Sequence, residues 1–454
     1  MKRVVLIAIA SIVFTAAAVL VPAGARAQGL ETPQARDITP LRLALEEAVR
    51  RGLETSHRIA EAVARGEAAD AVVGERRAAA LPQLAAQAGY MRTNHVEAFG
   101  VLLPNNQLRV IYPDIPDNYR ARLDLQWPIY TGGRLDALER AARIDATASA
   151  AEIATARGDL TLEITRAYWA LVTATESLRV VQESVTRIDA HLRDVRNQLA
   201  AGVVAPNEVF TVEAQESRQR MLTVQARGMR DVAEAELARL VGAAPGTPIE
   251  PAAAFDPGPP TAVPLDVMLD AAREKRPERA ALAKRVSAAN ERQRAAAAGT
   301  KPTVAVGGGF DYARPNPRIF PREAAWRTSW DASVNVNWPL FDGGRARSEI
   351  AEAAASARAV EARLADFDAA LAVEIRQRVT EIVSARAAID AASDAVRSAA
   401  EARRVLADRF AAGVATSTDV LDAQFALLQA ELDRTQAVAT AHLADARLAR
   451  ALGQ

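Results

Sequence analysis

Asp419 and Asp422, in "TDVLDAQ", are the acidic pair whose spacing invites a chemical role. Two carboxylates three residues apart, just after a helix start, sit at the positive end of the helix dipole. On spacing alone they stabilise a helix terminus. The four histidines, His57, His95, His191 and His442, stand at no metal-ligand spacing from one another and take structural or surface roles. The run "VGGGFDY" at 306–312 has the composition of a phosphate loop, but no helix follows it. Glycine in a strand beside bulky neighbours is the better account. No nucleophile elbow and no metal cluster emerges, so neither enzyme chemistry nor a cofactor is expected.

The remaining features concern architecture. Lys2 and Arg3 precede an apolar run from Val4 to Val21, and Ala25-Arg26-Ala27 forms an A-x-A site. Residues 1–27 therefore read as a secretory signal peptide, with a transmembrane anchor as the alternative. No later stretch is apolar for the ~20 residues a membrane helix needs. The chain has no cysteine, so stability must come from packing, and no thiol can carry a lipid. Basic and acidic residues balance at 56 each; removing Lys2, Arg3 and Arg26 leaves 53 against 56, a net charge of −3. Nothing in that balance suggests nucleic acid as a partner.

The chain is written twice. "WPIYTGGR" from Trp127 returns as "WPLFDGGR" from Trp338, 211 positions later. The same shift lays Gly202 on Gly413 and Gly242 on Gly453. Upstream, a shift of 220 lays Leu45 on Leu265 and Pro82 on Pro302. The expected organisation is a first repeat over 28–243, a Pro-rich linker over 244–263, and a second repeat over 264–454. The offset changes by nine between Pro82 and Trp127, which places a longer surface loop there.

Of 21 aromatic residues, 13 fall in Gln83–Tyr130 and Thr303–Phe341. These windows, about 83–127 and 303–338, read as strands. In "YRARLDLQW", Tyr119, Ala121, Leu123, Leu125 and Trp127 alternate with Arg120, Arg122, Asp124 and Gln126. "WDASVNVNW" alternates in the same way from Trp330 to Trp338. Period two with one polar face fits a soluble sheet or a membrane barrel. Strands of ~9–11 residues, aromatics at their ends and a signal peptide favour the barrel. Two strands around a loop in each window give about four per chain. Four cannot close, and an open edge in lipid leaves backbone groups unsatisfied. Several chains must share one barrel; two, three or four copies would each give an even strand number.

Between the windows lie helix formers. Long helices are expected over about 134–201 and 206–241, and again over about 345–412 and 417–452, with a further helix before each pair of strands. A helix over 134–201 would be ~100 Å long, too long for one globular core. Leu178, Val181, Val185, Ile188, Leu192, Val195 and Leu199 form a heptad seam along it. The repeated motif is then a strand-to-helix junction. Trp127 and Trp338 end strands at a membrane interface. Pro128 and Pro339 stop ladder pairing. Gly132-Gly133 and Gly343-Gly344 turn the chain, and Thr131 or Asp342 helps start the helix.

The signal peptide, the two repeats, "PLFDGG" and "AGVATSTDVLDAQ" together resemble the outer membrane efflux protein family, the TolC-like proteins. The resemblance covers nearly all of the mature chain. It implies an α+β membrane protein built from a duplicated β-hairpin and long α-helical hairpin. It implies a homotrimer with a 12-stranded barrel in outer-membrane lipid, continued by a periplasmic α-helical barrel. The implied function is a passive exit duct of a tripartite efflux pump or a type I secretion system. The implied partners are a periplasmic adaptor (membrane fusion protein) and, through it, an inner-membrane transporter. Asp419 and Asp422 match the family's acidic pore constriction, and Glu208 and Thr211 hold those places in the first repeat. Gly202, Glu208 and Gly413 match the adaptor-docking tips. Ala415 stands where some relatives carry a locking arginine, so that network is expected to be simpler here. The absent cysteine leans the chain toward unlipidated members. The alternative is a periplasmic coiled-coil adaptor without a pore. That class usually has one hairpin between compact β domains, and this chain has two. A trimeric adhesin would place its strands at the C-terminus, where this chain reads as helix.

Overall fold

A computed structural model describes residues 40–105, 107–252, 255–256 and 264–454. The signal-peptide assignment lies outside the described residues. The chain begins with a short strand β1 (Leu41–Leu43) and the helices α1 (Leu45–Thr55) and α2 (His57–Ala78). Four strands follow: β2 (Gln83–Arg92), β3 (Phe99–Leu102), β4 (Leu108–Tyr112) and β5 (Asp117–Tyr130). Then come α3 (Arg134–Ala200), α4 (Pro206–Leu240) and β6 (Ile249–Pro251). The second half repeats the order with α5 (Leu265–Lys275), α6 (Pro277–Ala297), β7 (Thr303–Arg314), β8 (Arg327–Asn337), α7 (Arg345–Ala411) and α8 (Ser417–Ala451). α3 and α7 are both 67 residues long, and α4 and α8 are both 35.

Length forbids a single core. A 67-residue helix is ~100 Å long, so burial is divided into clusters strung along it. One holds Leu160, Ile164, Tyr168 and Leu171 of α3 against α1, β1 and the end of α4. Another holds Ile188, Leu192 and Val195 against Val209 and Val212 of α4, Phe410 of α7 and Val420 of α8. The seam is thus real, and Ser184 and His191 lie buried within it as well.

Three stacked layers share one order. The main sheet is antiparallel and runs β2-β5-β7-β8. Below it the helices pack as α2-α3-α6-α7. Further along, the principal packing order is α4-α3-α8-α7. Each layer ends with a first-half element at one edge and a second-half element at the other.

Two expectations need correction. The first strand window holds four strands, not two: between β2 and β5 the chain forms a separate β3–β4 hairpin. Pro128 also does not end its strand. β5 continues to Tyr130, with Pro128 opposite Ala305 and the register slipping before Tyr130. Proline lacks only its own N–H, so a local irregularity absorbs the missing bond. Pro339, by contrast, lies just beyond the end of β8. The linker contributes β6, which pairs parallel with β1 from Leu41–Ile249 to Leu43–Pro251.

Candidate functional site

The two junctions use one geometry with different caps. Gly132 and Gly133 have φ of 65° and 88°; Gly343 and Gly344 have 67° and 88°. A Cβ there would cost about 1–2 kcal/mol per residue, which explains paired glycine twice. Asp342 accepts from the backbone N–H of Gly344 (3.0 Å) and Ala346 (2.8 Å). Those two donors hold its carboxyl below the usual carboxylate range. Thr131 does less, accepting only from Leu135 N–H at 3.3 Å. Each tryptophan has a second task. The Trp127 indole donates to the Ala80 carbonyl at 3.2 Å, and the Trp338 indole donates to the Thr300 carbonyl at 3.3 Å. Each indole therefore ties the end of its repeat's second sheet strand to the chain just before the first.

The hairpin tips are equivalent in their turns and unequal in their caps. Gly202 (φ 73°) and Gly413 (φ 75°) close the ends of α3 and α7. Val203 N–H reaches Gln198 O and Val414 N–H reaches Arg409 O, both at 2.9 Å. These six-to-one bonds are Schellman motifs, which require a left-handed residue. At the second tip Thr416 and Asp419 form a reciprocal capping box. Asp419 Oδ2 accepts from Thr416 N–H at 2.8 Å and from its hydroxyl at 2.7 Å. The Thr416 hydroxyl, first of these, lowers the Asp419 pKa. At the first tip Ala205 offers no side-chain cap. Glu208 is half-buried, and its Oε2 is buried without a hydrogen-bond partner among the described residues. Thr211 is exposed and bonds back to Asn207 O. Asp422 is exposed one turn beyond the box, and Ala415 packs against the apolar tip cluster.

His191 ties the two hairpins together. It is 5% exposed, its Nε2 lies 2.9 Å from Ser417 Oγ, and its ring meets Phe410 edge-on at 5.0 Å. Burial lowers its pKa, against the opposing pull of Asp194. His442 stacks on Trp169 at 3.5 Å and donates Nε2–H to the Asp256 carbonyl in the linker. His57 is exposed at the start of α2, and His95 pairs with Asp114 in the loops. The tip role of His191 was hidden in the sequence because it flanks the seam, one residue before Leu192, and its partner Ser417 lies 226 residues away.

The sheet has two chemically distinct faces. The row Ala86–Leu123–Phe310–Trp330 crosses all four strands on one face, with Leu84–Leu125 beside it. These side chains are exposed among the described residues, Trp330 to 74%. At one end of this face Trp326 packs on Tyr312 and Tyr119, and Tyr119 on Tyr90. At the other end stand Trp127 and Trp338. The eight residue steps from Tyr119 to Trp127 span ~26 Å at ~3.3 Å each. The opposite face is polar, with Arg120, Arg122, Asp124, Asp311 and Asp331 interlocked across β5, β7 and β8.

The profile of outer membrane efflux proteins matches residues 48–243 and 268–454, one segment in each half. Protein CyaE of Bordetella pertussis is 27% identical over 388 residues, covering 84% of this chain and 78% of that protein. A membrane protein from Pseudomonas aeruginosa superposes with a TM-score of 0.75 at 23% identity, over 90% of this chain and 92% of the other. The outer membrane protein VceC of Vibrio cholerae superposes with a TM-score of 0.73 at 21% identity, over 90% and 96%. The Neisseria gonorrhoeae MtrE outer membrane channel, solved in its open state, gives 0.73 at 20% identity, over 90% and 88%. With both repeats matched by one profile, the chain belongs to the outer membrane efflux protein family.

Proposed function

We propose that three copies of this chain close a shared barrel in the outer membrane and a helical tunnel beneath it, forming the exit duct of an efflux pump or a type I secretion system. One observation supports this most: every layer is open, and open in the same sense. β2 and β8, α2 and α7, and α4 and α7 are the free edges. Two unlike edges that join each other do so head to tail, and such contacts close into a ring when the rotation per copy divides a full turn. Three four-stranded sheets make twelve strands, with the apolar face toward lipid and the polar face toward the lumen. The aromatic residues at the two ends of that face stand ~26 Å apart along the strand, ~20 Å in height at a ~40° tilt, and they bracket the apolar residues as aromatic girdles do.

On this reading, the tips around Gly202, Glu208 and Gly413 meet a periplasmic adaptor, and an inner-membrane transporter works through it. Asp419 and Asp422 ring the entrance, giving six carboxylates around one axis. Capping and constriction are compatible for Asp419, since its cap leaves it exposed. Native mass spectrometry of the protein extracted in detergent from outer membranes tests the assembly. Three chains cut before Gln28 are expected; a monomer from the soluble periplasm overturns the duct and restores the coiled-coil adaptor.

A further inference from the structure

We propose that Arg122 is a selectivity-determining residue of the barrel lumen, holding a belt of fixed charge at electrical balance so that the exit discriminates little between cationic and anionic cargo. The assignment rests on the duct reading above.

The charged residues on the polar face are confined to three adjacent rows of the sheet, those of Arg120, Arg122 and Asp124. The rows toward the helices are neutral: Gln126 faces Gly307 and Ser333, and Ala305 faces Asn335. The inward positions of β2, from Gln83 to Gly89, carry no charge either. The belt holds three carboxylates, Asp124, Asp311 and Asp331. Against them stand three guanidinium groups, Arg120, Arg122 and Arg318. Arg120 holds Asp311 at 2.5 Å, and Arg318 approaches Asp331 at 3.6 Å. Arg122 alone touches all three acids: Asp124 at 2.6 Å, Asp331 at 3.2 Å, and Asp311. Arg327, on the same face, is paired with Glu323 at 2.9 Å.

The glycine run in β7 makes that reach possible. To pass from β5 to Asp331 on β8, the Arg122 side chain must cross β7. A Cβ on Gly309 would fall 2.6 Å from Arg122 Cζ and 2.9 Å from Asp331 Oδ1. Glycine leaves the floor on which the guanidinium lies, and Arg122 is only 21% exposed there. Rings of fixed charge in a pore set its ion preference. Here the ring is cancelled from within, and Arg122 supplies a third of the cancelling charge.

The test is the K⁺ over Cl⁻ permeability ratio of single channels in planar bilayers. It is read in the Asp419→Asn/Asp422→Asn background, which removes entrance carboxylates from the signal. Arg122→Gln leaves three surplus negative charges per trimer and is expected to raise the ratio about twofold or more. Asp331→Asn leaves three surplus positive charges and is expected to lower it by a similar factor. Arg122→Lys keeps the charge and is expected to stay near the parent value. A purely structural role would move the Gln and Asn variants in the same direction or not at all, and either result overturns the proposal. A parent protein that conducts nothing overturns the duct and this assignment with it.

Discussion

The tips show how a residue's environment decides its role. Asp419 looks like an exposed acid, yet its lone pairs are aimed at Thr416 N–H and hydroxyl. Its folded pKa lies below its unfolded value, so the stability it adds is present above the unfolded pKa. That stability is lost as pH falls through the folded one. Amide exchange at the start of α8 is expected to accelerate in that acid window, and Asp419→Asn to flatten the dependence. Thr416→Ala should raise exchange there about fivefold at neutral pH, the effect of a lost cap worth ~1 kcal/mol. His191 titrates at higher pH. Its folded pKa is depressed by burial, so its contribution is complete above the unfolded value and declines as pH drops below about 6.5. Exchange in the neighbouring tip segments should rise over that range, and His191→Gln should remove the step. Unchanged profiles in either variant would mean that these side chains do not govern their termini.

At the scale of elements, legibility followed how strongly a local pattern constrains geometry. Alternation in "YRARLDLQW" was readable because one face is uniformly apolar and the other carries four polar side chains. The seam through Val181, Ile188 and Val195 was readable because its apolar residues recur in steps of three and four. β3 and β4 were not: "FGVL" and "LRVIY" are too short to establish a period. The Arg122 clamp was half visible, since Arg122 and Asp311 both fall on polar positions of alternating strands, but register across β5, β7 and β8 cannot be read from one sequence. The indole tethers were missed because their acceptors are backbone carbonyls, which carry no residue signature. Gly344, at φ 88°, gives an element-scale prediction. Gly344→Ala should destabilise the second junction by about 1–2 kcal/mol, seen as a lower midpoint for thermal unfolding. Gly89→Ala, with nothing within 4 Å of the added Cβ and no positive φ, should not.

For the whole molecule, the faces left bare in one chain argue most directly for what the proposed trimer would cover. α4 presents Phe210, Met221, Val224 and Val232, spaced along one side and each more than half exposed. A stripe of that kind on a rod-like helix belongs against another helix. The layer order α4-α3-α8-α7 leaves α7 as the complementary free edge, with Val373 and Val383 exposed on it. Val224→Arg would place a charge at the centre of this contact while touching none of the buried clusters within the chain. The expected outcome is loss of the three-chain mass in native mass spectrometry with helical content retained, because the intrachain seam through Ile188 and Val195 is untouched. The two classes of edge can then be separated. If the sheet edges alone held the assembly, the trimer would persist and only the tunnel would loosen, which cysteine cross-linking between α4 and a neighbour's α7 would register as lost yield. A variant that stays trimeric and cross-links like the parent would show that this stripe faces solvent or another partner, and would remove α4 from the ring contact.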